Sequence, residues 1–125
     1  MKTNDYQDTC ARLERPTFDV EDHAVTGLTS EVGELADLRK KLQVAGGGSY
    51  DFGPRTHLDT ASVAEEAGDC LYYLAILCNH HGLELSDVMA MNIAKLKRRA
   101  LLGKDKEAER GIFEDGIARS TDGQR

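Results

Sequence analysis

Apolar residues recur at three- and four-residue spacing along most of the chain, and no segment shows the strict alternation of a half-buried strand. The pattern predicts four helices. The first covers about Thr3–Glu14, with Tyr6, Cys10 and Leu13 on one stripe and Pro16 just beyond its end. The second starts at Asp19, a good N-cap, and places Glu21 and Asp22 in its first turn, where anions complement the helix dipole. Its stripe runs through Ala24, Leu28, Val32, Leu35, Leu38 and Leu42, and Lys40 and Lys41 close it. The third runs from Thr60 to His81 and stops at Gly82, a natural residue just past a helix end. From Leu71 to Cys78 it is apolar on every side, which predicts a central, buried helix. Ser86 is the expected N-cap of the fourth, which carries Val88, Met91, Leu96 and Ala100 towards Gly103.

The connections differ in kind. Gly46-Gly47-Gly48 opens a loop to about Asp59, long for a helix connection in a compact domain. The link between helices three and four is short, which makes them antiparallel neighbours. Beyond Gly103 the periodicity dissolves into a charged stretch in which Ile112, Phe113 and Ile117 are the docking residues available. The expected architecture is all-α and four-helix-bundle-like over residues 1–103. Residues 104–125 are expected to form a polar tail, partly disordered or packed on a partner subunit.

Composition narrows the class of function. The net charge is −6, which argues against a binder of nucleic-acid backbones, although Lys95–Arg99 is locally basic. Three cysteines, Cys10, Cys70 and Cys78, form no paired framework and read as free thiols in a reducing compartment. The longest unbroken apolar run falls far below the ~18 residues of a membrane span, and Met1–Asp8 is polar, without a signal pattern. A cytoplasmic protein with no nucleic-acid or membrane partner is expected. The apolar third helix suggests a homo-oligomer, a dimer or tetramer.

The candidate chemistry lies in two segments that echo each other, Glu31-Val32-Gly33-Glu34 and Glu66-Ala67-Gly68-Asp69. Residues at i and i+3 share a helix face, so two such helices packed together converge four carboxylates on a small volume. Like charges that close repel, and hard divalent cations such as Mg²⁺, or Mn²⁺ in its place, are the natural compensation for oxygen ligands. A single Glu-x-x-Glu is usually a solvated face. Here Glu66 and Asp69 directly precede the most apolar part of the chain, where unpaired charge is costly. Gly33 and Gly68 occupy matching positions at some cost to helix stability, which suggests close backbone approach of the two acidic faces.

Helical geometry then gives the site a layout. Lys41 stands seven residues, about 10 Å, beyond Glu34 on the same face, and Lys40 points more to the side. Antiparallel packing puts Tyr73 at the His23 and Gly27 end of helix two, away from Lys41. Asn92, Lys95 and Arg99 form a polar stripe on helix four, suited to an anionic group bridged by metal. Arg55, in the long loop, is a further phosphate contact. No phosphate-binding Gly-rich loop, His-Glu-x-x-His motif or nucleophile-elbow serine is present.

Three blocks taken in order resemble the MazG-like all-α nucleoside triphosphate pyrophosphohydrolases. They are Gly27–Leu38, Glu65–Leu74, and Asn92–Leu96 with Arg99 after it. The resemblance implies Mg²⁺ bound by Glu31, Glu34, Glu66 and Asp69, with phosphate or sugar contacts from the second-helix lysines, Asn92, Lys95 and Arg99. The reaction it implies is hydrolysis of a nucleoside triphosphate, a deoxynucleotide or a damaged one, to the monophosphate and pyrophosphate. Glu34, Glu65 and Glu66 are the candidate catalytic carboxylates, and His23 and Tyr73 the candidates for base recognition. The chain departs from the family in continuing as Ala100-Leu101-Leu102, where many members turn, and in its long Gly-rich linker. Phosphoribosyl-ATP pyrophosphohydrolase is the competitor of the same fold. A di-iron carboxylate bundle would need Glu-x-x-His motifs, which the chain lacks. The non-enzymatic alternative is an acidic helical interaction module.

Overall fold

The computed structural model describes residues 1–45 and 58–123, so most of the long loop, with Arg55 in it, lies outside the described residues. Among them there are five helices and no strand: α1 (Thr3–Leu13), α2 (Val20–Ala45), α3 (Thr60–His80), α4 (Leu85–Leu102) and α5 (Lys106–Asp122). The chain divides into two compact units, Glu14–Leu77 and Met1–Leu13 with Cys78–Arg125.

In the first unit, α2 and α3 start as their sequences dictate. Asp19 accepts a bond from the Asp22 backbone N–H at 2.9 Å and Asp59 one from that of Ser62 at 3.0 Å, satisfying donors that a helix start leaves open. Ala24 is buried on α2, and Ala75 and Ile76 on α3. The helices approach at Gly27, where a Cβ would overlap the Tyr73 ring. This corrects the role expected of Gly33 and Gly68. At either of those, a Cβ would meet nothing within 4 Å among the described residues. The apolar face of α3 is also less covered than expected, with Leu71 48% and Leu74 36% exposed. Side-chain pattern measures how apolar a helix is, not how many neighbours surround it.

In the second unit, Gln7 is the polar keystone. Only 5% exposed, it donates to Asn79 Oδ1 at 2.8 Å and to the Leu83 carbonyl at 2.7 Å, and it accepts from the Leu85 backbone N–H at 2.6 Å. Helix α4 therefore starts at Leu85 rather than after Ser86. The residue at its N-cap, Glu84, makes no side-chain cap of its own. A side chain from α1 does the work that sequence assigned to a local serine. Gly82 and Gly103 adopt positive φ, 64° and 79°, at the turns after α3 and α4.

The polar tail is a helix. Asp105 caps α5 by accepting from the Ala108 backbone N–H at 3.1 Å, and Glu107 and Glu109 follow in its first turn. It packs antiparallel on α4 through four successive levels: Arg99 with Glu109, Lys95 with Phe113, Met91 with Gly116, and Asp87 with Ser120. A Cβ at Gly116 would overlap Met91, so glycine there permits the approach. Apolar periodicity missed this helix because its interface consists of an ion pair, a cation–π contact, a glycine and a hydroxyl.

The Arg99–Glu109 pair is bidentate, Nε to Oε1 at 2.9 Å and Nη2 to Oε2 at 2.7 Å. The arginine bond, chiefly, lowers the Glu109 pKa from 4.5 to about 2, and the Lys95 charge helps. A carboxylate whose pKa is depressed on folding adds stability above its unfolded value, and that stability is lost as pH falls through the folded one. Glu109→Gln is thus expected to melt below wild type at pH 7. In thermal melts followed by circular dichroism, the gap should close between about pH 4.5 and 2. A gap independent of pH would show that the pair does not stabilise the fold through its charge.

Candidate metal centre

The acids of α2 and α3 meet across the first unit. One oxygen from each of Glu31, Glu66 and Asp69 lies within 4.8 Å of the other two. Glu34, one turn along α2, is exposed and acts on the group through its charge. Desolvation first, then the charges of Glu31, Glu34, Glu65 and Asp69, push the Glu66 pKa up. The structure thus brings three of the four expected ligands to one point, with Glu34 and Glu65 in electrostatic range. An all-oxygen, wholly anionic donor set without His or Cys suits a hard divalent cation such as Mg²⁺.

The two ends of this acidic patch differ. At one, Tyr73 lies against Gly27 and meets His23 edge to face, the ring centroids 5.7 Å apart. Tyr72 packs on Tyr73 in the same manner at 5.3 Å. Antiparallel packing of α2 and α3 placed Tyr73 there, as the helical register predicted. At the other end, Lys41 Nζ pairs with Asp37 at 2.6 Å. That bond raises the lysine pKa and lowers the aspartate's, and Lys40 adds to the latter. Both partners are largely solvated. Such exposed pairs contribute little stability, so the ammonium can exchange Asp37 for another anion. Lys41 also borders a hollow of about 200 Å³ lined with Leu38, Leu42, Leu58, Asp59 and Ser62, which no sequence signal announced.

The predicted cation stripe lies in the second unit. Lys95 Nζ sits 5.8 Å from the centroid of the Phe113 ring, Arg99 is held by Glu109, and Asn92 is half-buried one turn before Lys95. Glu109 went unnoticed in the sequence, and Phe113 was read there only as a docking residue, without a partner on α4. The available signal was spacing: residues four apart on α4 pair with residues three or four apart on α5 around the Gly103 turn.

These features define an all-α protein with an acidic centre between helices. The MazG nucleotide pyrophosphohydrolase domain matches residues 20–101, about two thirds of the chain, and the protein belongs to that family. The match takes in α2, α3 and almost all of α4 and ends before α5. No curated protein and no solved structure matches the chain significantly. No described helix is long and apolar enough to cross a membrane.

Proposed function

We propose that the protein hydrolyses nucleoside triphosphates, deoxynucleotides or modified ones, to the monophosphate and pyrophosphate in a Mg²⁺-dependent reaction. The observation that carries this reading is the convergence of Glu31, Glu66 and Asp69 oxygens within 4.8 Å, on helices that belong to a pyrophosphohydrolase family. Mg²⁺ held by these three and by Glu34 would neutralise polyphosphate charge and acidify a bound water. The chain's own groups supply the rest. Glu34 or Glu65, both exposed beside the cluster, takes the proton as water adds to phosphorus. The anhydride bond between the first and second phosphates breaks, its electron pair leaving on the phosphate that water does not attack, and monophosphate and pyrophosphate result.

Lys41, with Lys40 beside it, releases Asp37 to meet the phosphates. His23 and Tyr73 face the base. The test is a panel of standard and modified nucleoside triphosphates incubated with Mg²⁺, the products separated by chromatography. Monophosphate and pyrophosphate in equal amounts are expected. Release of orthophosphate alone, or no turnover of any triphosphate, would overturn the reading.

A further inference from the structure

The α4–α5 register lies at the edge of what family membership covers, since the match ends at residue 101 and α5 begins at Lys106. Two of its four levels hold the cations Lys95 and Arg99, which stand one helical turn apart on a single face. Glu109 is 7% exposed and grips the guanidinium through Nε and Nη2. A guanidinium carries five N–H donors. The bonds to Glu109 engage two of them and leave the Nη1 edge available to an anion. The Phe113 ring meets the Lys95 ammonium through its π face and accepts no conventional hydrogen bond from it, so the lysine's donors also stay available. One carboxylate against two cations leaves the group net positive.

We propose that Glu109 and Phe113 are positioning residues, through which α5 holds Arg99 and Lys95 as a preformed cradle for a polyphosphate anion. This rests on the nucleoside triphosphate reading given above. Long cationic side chains lose rotamer freedom when they bind an anion, and fixing them beforehand removes part of that cost. A purely structural bridge would fasten α5 to α4 and do nothing for anion binding.

The experiment is a double-mutant cycle on the full chain, with wild type, Arg99→Lys, Glu109→Gln and the double variant. It is read as the dissociation constant for inorganic tripolyphosphate with Mg²⁺ by calorimetry, and in parallel as kcat/KM. Each single change is expected to weaken binding about 10-fold. The double variant should fall within about threefold of the weaker single, well short of the ~100-fold loss of independent effects. Phe113→Leu, which keeps bulk and removes the π face, is expected to weaken binding about threefold at unchanged Tm. It supplies an arm that does not depend on the buried ion pair. Independent, multiplicative losses would overturn the proposal. So would wild-type affinity in both Glu109→Gln and Phe113→Leu, or no binding of tripolyphosphate by wild type. Tripolyphosphate binding with the expected coupling but no pyrophosphate release would instead strike the reaction and leave the cradle standing.

Discussion

Glu66→Gln is expected to cut Mg²⁺-dependent pyrophosphate release by at least about 100-fold, the scale on which a group that stabilises transition-state charge is missed. Glu66 is the carboxylate on which the other acids converge, and its pKa is raised by desolvation first and then by the charges of Glu31, Glu34, Glu65 and Asp69. The amide keeps the shape and removes one negative charge. Its effect on stability should have the opposite sign. Without divalent cation, the variant sheds like-charge repulsion and should melt at or above the wild-type temperature. The sign agrees with linkage: a carboxyl whose pKa is raised on folding favours the native state below its unfolded pKa and loses that benefit as pH rises through the folded one. Adding Mg²⁺ should raise the wild-type Tm, because a ligand bound only by the folded state stabilises it, and should raise the variant's less. Activity and melting together separate a metal centre from a solvated acidic face. Unchanged turnover in Glu66→Gln would dismiss the site, and a lower Tm without metal would mean that the carboxylate is structural.

Gly27→Ala is expected to have the largest effect on the fold, about 1–3 kcal/mol of destabilisation, the usual cost of forcing bulk into a filled space. The new methyl would occupy the place of the Tyr73 ring, so the ring must swing or the helices must part. Either movement disturbs the packing beside the acidic cluster, and activity should fall with stability. Gly33→Ala and Gly68→Ala are the controls. Their methyls meet nothing within 4 Å among the described residues, and alanine in a helix interior is favoured over glycine by up to about 1 kcal/mol. Those two should hold or gain stability in chemical denaturation. If Tyr73 is the obstacle, Tyr73→Leu should recover part of the Gly27→Ala loss, a coupling that a double-mutant cycle reads directly. Equal losses at all three glycines would refute the close approach at Gly27.

Much of this was legible in the chain itself. Asp19 marked a helix start through a local bond that needs only the next three residues. Gly82 and Gly103 marked turns because positive φ is a property of the residue. The two acid pairs were visible because i and i+3 share a face on any helix, and Tyr73 could be assigned to the His23 end from register alone. The elements misread were those whose partners are distant in sequence. Ser86 looked like a cap, yet the Leu85 N–H is satisfied by Gln7, 78 residues away. Helix α5 looked like a tail, because its contacts with α4 are polar or glycine-mediated and leave little apolar period.

Sequence by itself therefore determined the helical class, the start of α2 at Asp19 and the carboxylate set of the candidate centre. All of these follow from spacing and from bonds made within one turn. Tertiary structure decided which glycine admits its neighbour, that Glu31, Glu66 and Asp69 meet at one point, and that Glu109 holds Arg99. Those depend on which faces of separate helices come together, and helical periodicity fixes only the faces.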